Sequence, residues 1–323
     1  MKLSFIILWS FHNNPVDMGT STLSAASNFL NGIDPYSVPE IMVEGHDRYI
    51  HQQNFMYPPF MFIGYSGLLL ILGLSTFGWF LANLALDLAI IILIFFIVKK
   101  LAGEAAAIVS ALIYALNPTV LFEIIGRGTN ETLPLFLAVL GMWLLLNNKV
   151  YLSILSLSLA TLTKWFPAVF ILPVVIYLFN RKDISKLIKV ICFGALIAII
   201  VLIPFLFISP TDFVHDMTWE NQRPVEGWET QLSLQYFVFN AYYFLVHIGI
   251  VLLMFLFLFK KIHSIDNVLI AGTIGMLLFI MFGKIFHTHY ILWFLPWVVL
   301  SIFLKSDLNL REINIFRNKN NKN

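Results

Sequence analysis

The chain has 323 residues, of which 59% are apolar and only 12% charged, with a formal net charge of +2 and a mean hydropathy of +0.84. A soluble domain carries about 25% charged residues, so this composition excludes an ordinary soluble globule, and the near-neutral balance argues against a nucleic-acid partner. The single cysteine, Cys192, lies inside an apolar run and excludes a disulfide framework within one chain.

The first run, 3–11 in "MKLSFIILWSF", is shorter than the roughly 20 residues a span needs. No small-residue cleavage site follows it, so it is expected to be a first span whose start lies upstream rather than a signal peptide. Residues 12–57 then form a polar stretch with an amphipathic segment, "STLSAASNFLNG", followed by "DPY". The next runs are 60–74, 79–98, 105–121, 132–146, 150–163, 166–179, 187–208, 233–259, 267–282 and 290–304, with a second long polar stretch at 209–232.

Positive charge orients these runs. Lys99 and Lys100, Lys149, Arg181 to Lys189, Lys260 and Lys261, and the basic tail all fall on one side if the run at 60–74 does not cross. Prolines in "YPPF" and glycines at 64, 67 and 73 favour a segment that dips in and returns. The expected fold is therefore all-α: about ten transmembrane helices plus an outer juxtamembrane or re-entrant segment, in a single domain over 1–304. Both termini are expected in the cytoplasm, residues 305–323 as a disordered tail, and the loops 12–57 and 209–232 outside.

The polar residues that interrupt the apolar pattern are the candidates for chemistry. "GRGTNETLPLFL" at 126–137 places Arg127, Asn130 and Glu131 at the outer mouth of a span, after "NP" at 117–118 ends the previous helix. The alternative is a solvated interfacial loop. Its "NET" sequon lies too near the membrane for occupancy. Asp17 follows the first span and reads either as an N-cap for a helix starting near residue 18 or as a catalytic base. Asp87 falls in mid-span, where a carboxylate costs about 2.5–3.5 kcal/mol and must face the bundle interior. It reads as a structural hydrogen bond or a proton relay. Lys164, Arg223, Lys284, His287 and His289 are outer-side cations in a chain that keeps most of its lysines inside. Each alone could be snorkelling. Together they fit an anionic ligand, such as a lipid phosphate, at that face. The two histidines at i, i+2 do not share a helix face, and no metal motif or phosphate-binding loop is present.

At this point the chain resembles a known family. "VDMGTSTLSAASNFLNGIDPY…YPPF" resembles the first outer loop of GT-C glycosyltransferases. "FGWFLANLALDLAI", "GRGTNETLPLFL" and "HTHYILWFLPW" are similar, in order, to segments of the GPI mannosyltransferase I catalytic subunit and related prokaryotic polyprenyl-phosphate-mannose-dependent families. Two departures stand out. Asp17 lacks the paired "D-x-D" of some relatives, and His289 replaces a glutamine. The resemblance implies an inverting sugar transfer from a polyprenyl (dolichyl) phosphate mannose donor to a glycan, lipid or protein acceptor at the non-cytosolic face. It implies Asp17 as general base, and no cofactor, a divalent metal not being indicated. Arg127, Lys164, His287 and His289 are the candidates for the donor phosphate. Asp34, Tyr36, Asn130, Glu131 and Tyr290 are those for sugar or acceptor, with Trp293 beside Tyr290 in a lipid groove or as an interfacial aromatic. A transporter or lipid flippase built on Asp87 and the broken run at 60–74 is the alternative from another class. A non-catalytic subunit, or an enzyme with a small membrane partner, is a third.

Overall fold

The computed structural model describes residue 2 and residues 14–38, 40–43, 50–53, 55–222, 240–283 and 288–302. The apolar run 3–11, Glu44, Asp47, Arg223 with the rest of the second outer loop, Lys284, His287 and the tail 305–323 lie outside the described residues.

The chain is helical almost throughout, with the apolar helices of a polytopic membrane protein. An amphipathic helix α1 (Asp17–Leu30) is followed by a short antiparallel hairpin, β1 (Glu40–Val43) and β2 (Ile50–Gln53), in register Glu40 to Gln53. This hairpin is an addition to the all-α expectation, and it lies in the polar stretch between helices. Helix α2 (Phe60–Leu72) is one uninterrupted helix of 13 residues. It is about 20 Å long, short of the roughly 30 Å hydrocarbon core. Its end is set by Gly73 at φ 94°, and Ser75 accepts from the Gly78 N–H at 3.1 Å to cap α3 (Thr76–Ala102). The reversal expected within 60–74 therefore falls after α2, and Gly64 and Gly67 sit inside a regular helix.

Helix α4 (Glu104–Ala115) continues, through a bend of 48°, into α5, a short turn Pro118–Val120 running on as the π-helix Leu121–Gly126. As expected, the helix that precedes "NP" ends there, at Ala115, and a new one begins at Pro118. The Asn117 side chain accepts from Thr119 N at 2.9 Å, and Pro118 occupies the first helical position, where its missing N–H is harmless. The same dipeptide that stops one helix thus starts the next. Then follow α6 (Thr132–Leu146), α7 (Val150–Thr161), α8 (Ala168–Asn180), α9 (Ile184–Ile208), α10 (Pro210–Gln222), α11 (Asn240–Leu258), α12 (Ile265–Met281) and α13 (Ile291–Ser301).

Helices α3 and α9 are each long and apolar enough to cross a membrane alone, and α4 with α5 does so as a bent pair. The remaining apolar helices pack around them: α6 on α3 and α7, α7 on α9, α8 on α12, and α12 on α13. The core is aromatic, with Trp79, Trp293, Trp297, Tyr65 and Tyr114 fully buried, while Ile71, Phe207 and Leu253 point outward. Such an outward apolar face is at home in lipid rather than water.

Asp87 in α3 is fully buried, as a mid-span carboxylate must be, and Lys2 Nζ meets its Oδ2 at 2.5 Å. An ion pair is what makes a buried charge tolerable here.

Candidate functional site

The site gathers where the start of α1 meets the loop between α5 and α6. Val16 N–H donates to the Arg127 carbonyl at 2.9 Å, Trp79 Nε1 donates to the Gly128 carbonyl at 2.8 Å, and Asn130 Nδ2 donates to Thr22 Oγ1 at 2.9 Å. Two glycines permit this contact. A Cβ on Gly19 would stand 2.2 Å from the Gly128 carbonyl oxygen; Gly128 itself has φ 62°, and its Cβ would meet the Phe80 ring at 2.7 Å. Only glycine serves at both positions. Asp17 is thereby fixed, half-buried, beside this junction. It is the first helical residue rather than the N-cap, which is Val16, and its Oδ1 accepts from the Met18 N–H at 2.7 Å.

Residues 129–132 are completely buried, so the solvated-loop alternative for this stretch is overturned. The burial is supported by partners. Glu131 accepts from Lys164 Nζ at 2.6 Å and from Trp293 Nε1 at 2.7 Å, with His289 Nε2 3.5 Å away. Lys164 is 7% exposed and His289 4%. Taking a carboxylate out of water costs several kcal/mol unless charges and donors replace its hydration; here three side chains do so. Trp293 is fully buried, which removes the interfacial-aromatic alternative for it. Tyr290 stacks edge-on against Phe166, with ring centroids 5.2 Å apart, and against His289 at 4.6 Å.

Lys164 also lies 4.8 Å above the Tyr57 ring, a cation–π contact. The Tyr57 carbonyl accepts from the Tyr36 hydroxyl at 2.7 Å, and Asp34 accepts from Tyr36 N–H at 3.2 Å and from the Ser209 hydroxyl. Burial, then the nearby Asp34 and Asp216 carboxylates, hold the Tyr36 phenol well above its usual range, so it remains a neutral donor. One run of contacts therefore links Asp17, the 127–131 loop, Lys164, Tyr57, Tyr36 and Asp34. His289 and Tyr290 join it through Glu131 and Phe166. Of the candidate residues, Arg223, Lys284 and His287 lie outside the described residues.

Two participants were missed. Glu123, fully buried, pairs with Arg127 Nη1 at 3.1 Å across one helical turn. The Glu-x-x-x-Arg spacing carries that contact, but it is visible only once the helix is known to continue past Asn117. The second is the role of Trp293: His289 and Trp293 are four apart and both reach Glu131. No group of three or more His, Cys, Asp or Glu side chains converges among the described residues.

Chemically, the arrangement sets the Asp17 carboxylate at a helix start whose backbone holds the loop that carries Arg127 and Glu131, with Lys164 and His289 gathered on Glu131. Residues 55–302 match the family model of glycosyltransferase family 87. The chain belongs to this family. Its fold is similar to that of ArnT from Cupriavidus metallidurans bound to undecaprenyl phosphate, with a TM-score of 0.60 at 15% identity over 94% of this chain and 58% of that one. It is likewise similar to apo ArnT, with a TM-score of 0.58 at 14% identity over 93% of this chain and 57% of that one. The family-87 chain thus spans less than two thirds of the length of the ArnT chain. No curated protein matches it.

Proposed function

We propose that this family-87 chain is a multi-pass membrane glycosyltransferase that moves a sugar, mannose foremost, from a polyprenyl (dolichyl) phosphate to an acceptor hydroxyl at the non-cytosolic face. The observation that carries the reading is the contact between the start of α1, which bears Asp17, and the loop whose Glu131 gathers Lys164 and His289. The lipid phosphate bound in the similarly folded ArnT supports the donor class.

In this reading Asp17 takes the proton from the acceptor hydroxyl, whose oxygen forms a bond to the anomeric carbon. The carbon–oxygen bond to phosphate breaks on the opposite face, inverting the centre, and its electron pair leaves on the phosphate. Because the leaving group is already stable as an anion, cations suffice to stabilise it. Arg127, Lys164, His287 and His289 serve this end. Glu131, whose oxygens are engaged by Lys164 and Trp293, keeps the cations aligned until the phosphate arrives, beyond any contact it makes to sugar hydroxyls. Asp34, Tyr36, Asn130 and Tyr290 are left to hold sugar or acceptor.

The test is transfer from radiolabelled polyprenyl-phosphate sugars in proteoliposomes. Asp17→Asn is expected to lower the rate about 10²–10⁴-fold. Unchanged transfer would remove Asp17 from the base role. Absence of transfer by the unaltered protein from every such donor would remove the enzyme reading.

A further inference from the structure

A polar cavity lies at the far end of helix α6 from the Glu131 cluster. Helix α6 starts at the Glu131 cluster and ends at Leu146, beside Leu145, which lines this cavity, so the two are separated by about 20 Å at 1.5 Å per residue. The cavity has a volume of about 260 Å³ and lies between the α6–α7 turn, the end of α8, the start of α9 and Ile265. Its charged lining is Arg181, Asp183 and Lys186.

The charges there are unevenly committed. Asp183 caps α9, accepting from the Lys186 N–H at 3.1 Å, so its negative charge is spent on a helix N-terminus. Arg181 gives Nη1 to the Tyr177 hydroxyl at 2.7 Å, which anchors the guanidinium and engages one of its five donors, and it also feels the nearby Asp183 carboxylate. The Lys186 ammonium has no hydrogen-bond or ion-pair partner among the described residues. Lys149 and Lys182 flank the cavity in sequence.

The surface beyond the cavity is apolar. Lys186, Phe193 and Ile200 stand seven residues apart along one face of α9, and Tyr151 of α7 meets Phe193 edge-on at 6.1 Å. Ile200 is 63% exposed. A cation beside a cavity and a continuous apolar track leading away from it fit an amphiphile better than a soluble anion. Basic pockets between helices at the cytoplasmic side of membrane proteins take phosphate headgroups in this way.

We propose that this cavity seats the phosphate headgroup of an anionic phospholipid, held by Arg181 and Lys186, with an acyl chain along Tyr151, Phe193 and Ile200. The site is separate from donor binding and does not depend on the proposed transferase activity.

The full chain in detergent would be titrated with phosphatidylglycerol or phosphatidylcholine, and bound lipid counted by native mass spectrometry. Preference for phosphatidylglycerol is expected, and Arg181→Gln with Lys186→Gln should weaken it about thirtyfold, the effect of two headgroup-facing charges. Lys260→Gln with Lys261→Gln, cations that do not line the cavity, should leave it intact. Ile200→Ser should weaken long-chain lipid binding while preserving the fold, which keeps the test valid if the double variant does not fold. Equal binding by the wild type and the Arg181/Lys186 variant, or equal loss in the Lys260/Lys261 control, overturns the proposal. Binding of inorganic phosphate as tight as that of phosphatidylglycerol also overturns it, because the site would then take a soluble anion.

Discussion

Replacing Glu131 by Gln keeps the shape of the side chain and a carbonyl oxygen for the Trp293 indole, but removes the charge that faces Lys164 at 2.6 Å. Lys164 is 7% exposed, so its ammonium would be left buried without a counter-charge. Breaking a buried pair from one side costs about 3–5 kcal/mol, whereas replacing both partners with neutral groups of similar volume is often close to neutral. The expected pattern is therefore a loss of about 3 kcal/mol for Glu131→Gln, a comparable loss for Lys164→Met, which strands the carboxylate, and far less than their sum for the double variant. Unfolding in mixed detergent micelles titrated with sodium dodecyl sulfate measures all three. A coupling of about 2 kcal/mol or more is expected. Effects that add within about 0.5 kcal/mol would show the two residues to be energetically independent, and the argument that Glu131 is held by its cations would fail.

Three further outcomes can be checked. Asp17→Asn should lower sugar transfer about 10²–10⁴-fold while the unfolding midpoint stays near that of the unaltered protein, since among the described residues the Asp17 carboxylate accepts only from the adjacent Met18 N–H; a matching loss of stability would assign it a structural role instead. Gly19→Ala should cost about 1–3 kcal/mol through overpacking, because its Cβ would meet the Gly128 carbonyl at 2.2 Å, while Gly32→Ala, at φ 74° with nothing within 4 Å, should cost only about 1 kcal/mol of backbone strain; similar unfolding midpoints for the two would refute the close approach of α1 to the loop. The folded state keeps the Tyr36 proton above the pH near 10 at which a free phenol loses it, so the unfolded chain binds fewer protons there and stability falls as pH rises past that value. Tyr36→Phe should flatten that alkaline slope relative to the parent, and an unchanged slope would show that the phenol is not held neutral.

How much of this was legible in the sequence follows from what a residue can reveal without its partners. Charge in an apolar background is conspicuous, so Arg127, Glu131, Lys164 and His289 announce themselves as exceptions. What the sequence withholds is pairing. Glu131 meets Lys164 and Trp293 across 33 and 162 positions, and nothing local in "GRGTNET" distinguishes a wet loop from one closed over by two distant helices. The same blindness hides the new helix that starts at Asn117–Pro118. Proline stops a helix and also begins one, depending on whether the preceding asparagine turns its side chain back onto the next N–H groups. That choice is settled by packing, since continuing the helix buries Glu123 where it can meet Arg127. The bend thus has a consequence for the site. A chain that ended its helix at Asn117 would present Arg127 on a solvated loop, free to sample many directions. The π-helix that follows the bend instead aims its guanidinium from a fixed helical position, with a buried carboxylate one turn behind it. In the proposed reaction, a cation preorganised at a helix end, rather than ordered when a phosphate arrives, would stabilise developing charge without a reorganisation cost.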